Sequence, residues 1–150
     1  MKENSFEKEK IFLGGIAILY VRENEGTKFL VVENAETKNI SFVSGAKEDS
    51  DNSELDAMHR ELKEELGTDK NINLEQTSVK HEFVFGPKKK ERAGHKGSYS
   101  VFLADVTEIK TSISHTKELK NIEWLSKEEV LTRLTFEDLK EVFLKAAENL

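Results

Sequence analysis

Ser53 to Gly67, "SELDAMHRELKEELG", narrows the possible folds more than any other segment, because it carries its own start, its own stop and one apolar face. Ser53 followed three residues later by Asp56 resembles a capping box with Asp in place of Glu or Gln, and Gly67 stands where a helix C-terminal glycine belongs. Leu55, Met58, Leu62 and Leu66 recur at spacings of three and four, so one face is apolar and must dock on something. An amphipathic helix in mid-chain therefore needs a sheet or further helices to cover it.

The flanking sequence supplies both. Ile11 to Val21 ("IFLGGIAILYV") and Lys28 to Val32 ("KFLVV") are rich in branched and aromatic residues and are separated by "RENEGT", the pattern of two strands joined by a hairpin loop. Ile40 to Val43 reads as a short third strand, and "SGAKEDSDN" after it as a polar loop. Thr77 to Phe85 and Ser98 to Val106 read as an antiparallel pair joined by the Gly- and Lys-rich "GPKKKERAGHKG". After the short apolar stretch Ile122 to Leu125, Ser126 caps a helix over "KEEVLTRL". Thr135, reaching toward Asp138, caps a last helix that carries Phe136, Leu139, Val142, Phe143 and Ala146 on one face. The order of elements predicts a layered α/β fold with a mixed, largely antiparallel sheet. With 150 residues, 37% of them hydrophobic, the chain is expected to form one domain, residues 1–150, around one core.

Composition removes several function classes. No run approaches the roughly 18 to 20 apolar residues that span a bilayer, and "MKENSFEKEK" is too polar for a secretory signal, so a cytoplasmic protein is expected. The absence of cysteine excludes disulfides and thiolate chemistry, so any metal must be held by carboxylates, histidines or backbone oxygens. A net charge of −6 argues against duplex nucleic acid as a partner, with "KKKER" at Lys88 to Arg92 as a local exception that also reads as a solvated loop tip. The four histidines show no ligand spacing; His59 reads as helix surface, and His81, His95 and His115 have no assigned role.

Glu61, Glu64 and Glu65 stand at i, i+3 and i+4, so their carboxylates gather on one side of the helix. Like charges at these spacings cost an isolated helix only about 0.2 to 0.5 kcal/mol per pair, which hydration or a neighbouring Arg60 or Lys63 offsets. Helix energetics leave open both a solvated face and a cation site. A hard divalent cation takes several oxygen ligands, and a carboxylate helix preceded by a loop with free carbonyls offers such a set. An arginine beside it can orient a carboxylate through paired N–H donors.

"GAKEDSDNSELDAMHRELKEELGT", Gly45 to Thr68, resembles the Nudix box, written G, five residues, E, seven residues, then R-E-U-x-E-E-x-G-U with U apolar. Arg60, Glu61, Leu62, Glu64, Glu65 and Gly67 match in register. Counted back from Arg60, the box glycine falls on Ala46 and the box glutamate on Asn52, while Thr68 takes the last apolar position; Asp51, Asp49 and Glu48 are the candidates for the missing carboxylate. Glu118, six residues before Trp124, is similar to a further glutamate that many Nudix enzymes carry. The opening and closing segments look similar to bacterial-type dinucleoside tetraphosphate hydrolases, and "FVSG" to relatives acting on dihydroneopterin triphosphate and nucleoside triphosphates.

The resemblance implies a Nudix-type α/β/α sandwich and a pyrophosphohydrolase that cleaves a phosphoanhydride in a nucleoside diphosphate linked to another group. It implies Mg²⁺ or Mn²⁺ held by Glu61, Glu64, Glu65, the Gly45 carbonyl and Glu118. Arg60 would position a box glutamate, and Glu61, Glu64 or Glu118 would accept the proton. The Lys88 to Lys96 loop would contact distal phosphates of the substrate, with Lys96 and Tyr99 as the candidates. The expected partner is a nucleotide-type small molecule, bound by a monomer or homodimer. A Nudix domain that binds a nucleotide without cleaving it is the alternative, motivated by Ala46 and Asn52.

Overall fold

The computed structural model describes residues 10–87 and 91–150. The first nine residues, which hold most of the segment read as too polar for a secretory signal, and Lys88 to Lys90 of the basic run lie outside the described residues.

Strand β1 (Ile11–Glu23) organises the rest, because the run of apolar residues in its middle buries both of its faces. Successive side chains of a strand point to opposite sides. Ile16 and Ile18 accordingly enter one core cluster, and Ala17, Leu19 and Val21 enter the other. β2 (Gly26–Asn34) alternates in the same way, with Phe29 and Val31 on the first side and Leu30 and Val32 on the second. A sheet with two apolar faces needs two covering layers. Helix α1 (Glu54–Leu66) covers one with Met58, Leu62 and Leu66; α2 (Lys127–Arg133) and α3 (Glu137–Ala146) cover the other with Val130, Leu139, Val142 and Phe143. The result is an α/β/α sandwich. Phe143 anchors α3, fully buried with its ring 4.9 Å from Phe29 and 5.6 Å from Phe42. Burial of such a side chain contributes about 1.5 to 3 kcal/mol.

The remaining strands are β3 (Ile40–Ser41), β4 (Val43–Ala46), β5 (Glu75–Val84), β6 (Lys96–Asp105) and β7 (Leu119–Leu125). The main path runs β3-β2-β1-β6-β5, with β7 added to β2 and β4 added to β1. β1 and β6 are parallel, while the other pairings of the described strands are antiparallel, which makes the sheet mixed and largely antiparallel as expected. One edge of β1 is shared: Gly14 to Ala17 pair with β4, and Tyr20 to Glu23 pair with β2. β2 and β4 therefore part from one another along β1.

Three local expectations are corrected. The segment after Val43 does not enter a loop at once, since Ser44, Gly45 and Ala46 pair with Ile16, Gly15 and Gly14. Leu55 lies outside the buried stripe at 38% exposure, and Ala57 takes the fourth buried position of α1. Thr135 does not cap the last helix: its hydroxyl accepts from the Ile40 amide at 2.7 Å, and Phe136 is the N-cap residue, with no side-chain bond. Among the described residues no helix is long and apolar enough to cross a membrane.

Candidate active site

Helix α1 begins where expected, with the Ser53 hydroxyl accepting from the Asp56 amide at 3.1 Å, and ends at Gly67 in the left-handed conformation (φ 63°). Its approach to β1 depends on small residues below it. A Cβ at Gly15 would lie 2.5 Å from Met58 Cγ, so glycine is what admits the helix at this distance. One turn further on, a Cβ at Gly45 would lie 2.5 Å from Glu61 Cγ and 2.8 Å from its Oε1. The Glu61 side chain thus rests directly on the backbone of β4. The strand that supplies Gly45 and the helix that supplies the glutamates are brought into contact.

Arg60 ties the loop before α1 to this arrangement. Its Nε donates to Asp51 Oδ1 at 3.1 Å and its Nη2 to Asp51 Oδ2 at 2.8 Å, while Nη2 also donates to the Ala46 carbonyl at 3.2 Å. Its Nη1 donates to Glu61 Oε1 at 3.0 Å and lies 3.5 Å from Glu64 Oε1. Glu48 is more distant at 3.8 Å. Asp51 is buried, at 8% exposure, and also accepts from the Glu48 amide at 2.8 Å. The hydrogen bonds from Arg60, and then that amide, hold its carboxyl down at about 2. Of the three candidates for the carboxylate missing at Asn52, Asp51 is the one paired in two places with Arg60. The arginine in turn is fixed so that one N–H fork holds the loop and the remaining nitrogen orients Glu61.

Glu65 is the most perturbed carboxyl. Burial, a hydrogen bond to Glu61 and the negative charges of Glu61, Glu118 and Glu64 push it up to about 9. Glu118, exposed just before β7, adds to this upward push through its charge but does not line the cleft that holds Glu61 and Glu65. Among the described residues no three acidic or imidazole groups already converge as a metal ligand set. The donor chemistry nevertheless suits a hard divalent cation: a half-buried carboxyl whose ionisation its acidic neighbours oppose, and all-oxygen ligands.

Glu61 and Glu65 line a cleft of about 310 Å³ that opens where β2 and β4 part, with Gly45, Glu48, Asn34 and Arg92 among its other walls. Glu64 instead lines, with Arg60 and His59, a shallower groove of about 570 Å³ on the outer side of α1. Lys96 is the exposed first residue of β6 and Tyr99 is buried against Phe83, its phenol raised by that burial; neither lines the cleft. His81 is bonded to Asp138 at 2.8 Å, and His95 lies edge-on to Phe12. Arg92 is the residue that sequence reasoning passed over individually, since within "KKKER" nothing marks one basic residue from the next.

Comparison with known proteins agrees with the geometry. The model of the NUDIX domain matches residues 13–146. Similar solved structures include the dihydroneopterin triphosphate pyrophosphohydrolase of E. coli, with TM-score 0.75 and 16% identity over 95% of this chain and 98% of that one. The C. elegans Ap4A hydrolase follows with TM-score 0.72 and 17% identity over 92% and 95% of the two chains. The NUDIX domain of Shewanella oneidensis NrtR, complexed with ADP ribose, gives TM-score 0.70 and 14% identity over 99% and 92%. At such identities the likeness is one of fold. No curated protein matches the chain in sequence. The family match and the fold support a hydrolase acting on phosphoanhydride bonds. The chain belongs to the Nudix family.

Proposed function

We propose that this chain, as a single cytoplasmic domain, is a divalent-metal-dependent pyrophosphohydrolase that attacks a phosphoanhydride in a nucleoside diphosphate linked to another group. Dinucleoside polyphosphates are the first substrate class, and nucleoside triphosphates or dihydroneopterin triphosphate the second. The observation that supports it best is the placing of Glu61 and Glu65 in one cleft with Gly45, the Glu61 side chain resting on the Gly45 backbone. Mg²⁺ or Mn²⁺ would be held by Glu61, Glu65 and the Gly45 carbonyl, with Glu64 and Glu118 as further ligands. A cation there supplies neutralisation of phosphate charge and activation of water.

The chain's own residues do the rest. Arg60 fixes the rotamer of Glu61 through its Nη1, and Asp51 fixes Arg60. Partial burial reduces the contact of Glu65 with bulk water, which strengthens its interaction with any bound charge. Glu61, Glu64 or Glu118 accepts the proton of the attacking water. Of these, Glu61 already lines the cleft, while Glu64 faces the outer groove.

Incubation of the purified chain with dinucleoside polyphosphates, nucleoside triphosphates and nucleotide sugars, with Mg²⁺ or Mn²⁺ and then with chelator, tests the reading. Products cut at a phosphoanhydride, lost with chelator and in Glu65→Gln, are expected. A folded, metal-loaded protein inert across the panel would overturn it, and the products formed distinguish the two substrate classes.

A further inference from the structure

The segment from Ser112 to Thr116, which leaves a short 3₁₀ helix (Thr107–Ser112) and leads to β7, runs back along the end of α1. The Ser114 amide donates to the Leu66 carbonyl at 3.3 Å and the Thr116 amide to the Glu65 carbonyl at 3.1 Å, while the Thr116 hydroxyl donates to the Glu64 carbonyl at 3.0 Å. A helix leaves its last carbonyls without partners of its own. Here the Gly67 amide takes that of Lys63, and this distant segment takes the next three. Ile113 pins it, buried in the same core cluster as Met58, Leu62 and Leu66.

Thr68 belongs to the same arrangement. The box pattern has an apolar residue in its place, and a hydroxyl at 5% exposure needs a partner. The Ser112 hydroxyl lies 2.9 Å away and itself donates to the Ile109 carbonyl at 2.8 Å, so Thr68 donates to Ser112. The departure from the box at Thr68 thus anchors the start of the segment, and Thr116 anchors its end.

Beyond Thr116 the segment carries Glu118. The Leu119 amide donates to the Thr116 carbonyl at 3.1 Å, closing a turn around Lys117 and Glu118, and the Glu118 carbonyl accepts from the Ala35 amide at 3.3 Å. Ala35 follows Asn34, and Asn34 and Leu119 both line the cleft that holds Glu61 and Glu65. Two connections therefore meet at one threonine. Its amide and hydroxyl grip the carbonyls of Glu64 and Glu65, and its own carbonyl begins the turn that contains Glu118.

We infer that Thr116 is a positioning residue: it holds the Glu118 turn against the last turn of α1, so that carboxylates from two separate segments meet one cation together. The inference rests on the proposed cation site at Glu61 and Glu65. If Thr116 were only a cap for α1, its loss would act on the helix whether or not residue 118 were acidic.

The test is a double-mutant cycle on Mn²⁺ affinity, read by electron paramagnetic resonance, in wild type, Thr116→Val, Glu118→Gln and the double variant, with Thr116→Ser beside them. Valine keeps the shape and the amide of threonine and removes the hydroxyl. The bond it removes is exposed, so water can replace it at the Glu64 carbonyl and the melting temperature should stay close to wild type. Thr116→Val is expected to weaken Mn²⁺ binding about three- to tenfold when Glu118 is present, the worth of one hydrogen bond, and less than about twofold in the Glu118→Gln background. Thr116→Ser should bind as wild type does. In the metal-free protein the Ala35 amide should exchange its hydrogen faster in Thr116→Val than in wild type. Equal affinity in wild type and Thr116→Val, an equal loss in both backgrounds, unchanged exchange at Ala35, or wild-type affinity in Glu118→Gln would each overturn the inference alone. A wild-type chain that binds no Mn²⁺ would overturn the cation site, and the inference with it.

Discussion

Asp51 meets Arg60 through two parallel hydrogen bonds, Nε to one carboxylate oxygen at 3.1 Å and Nη2 to the other at 2.8 Å. The box pattern places a glutamate at Asn52, eight residues before Arg60, and Asp51 lies nine before it. A shorter acid one position upstream thus takes up the arginine. The pairing predicts that Asp51→Asn lowers activity about ten- to a hundredfold, the usual effect of removing a group that orients a ligand, while Asn52→Ala leaves it near wild type. Steady-state rates with Mg²⁺ for the two variants check this, and equal rates would contradict it.

Glu65 and Asp51 give opposite responses to pH. Glu65, held near 9 in the fold and near 4.5 when unfolded, keeps its proton in the native state where the unfolded chain has lost it. The metal-free protein should therefore lose stability as pH rises from about 4.5 to about 9. Asp51, held at about 2, contributes stability that is present above its unfolded value near 3.9 and disappears as pH falls toward 2. Melting temperatures in chelator at pH 6 and pH 8.5 should fall for wild type and stay flatter for Glu65→Gln; parallel slopes would contradict the assignment.

Gly45→Ala separates site from scaffold. The atoms nearest to the added Cβ all belong to the Glu61 side chain, which can swing aside, so the melting temperature should change little. Glu61 would then leave the β4 backbone, and metal affinity and turnover should drop about ten- to a hundredfold. A variant that keeps both would show that the Gly45–Glu61 contact is incidental.

Much of this was legible in the sequence where the signals are local. Ser53, Gly67 and the Met58, Leu62 and Leu66 stripe mark α1 because a cap and a 3.6-residue period need no information from elsewhere in the chain. Ser44 to Ala46 concealed their strand because small and polar residues carry little β signal, and what holds them is pairing with Gly14, Gly15 and Ile16. Thr135 had the residue type of a cap, but its hydroxyl is taken by Ile40, far away in the chain. The glutamates of α1 could be placed on one side of a helix. That Glu65 would be half-buried beside Glu61 depends on where the helix docks. Arg92 was hidden for a similar reason: the Phe12 ring, 5.5 Å from its guanidinium, lies beside it only because β1 runs parallel to β6.

A titration of Mn²⁺ into wild type, Glu61→Gln and Glu65→Gln, followed by the loss of the free-ion electron paramagnetic resonance signal, tests the central claim most directly. The account predicts binding by wild type that rises with pH as Glu65 gives up its proton, and binding weakened at least about tenfold in each variant. Mn²⁺ binding that is unchanged when either glutamate is replaced, or no binding by the wild-type chain, would contradict it.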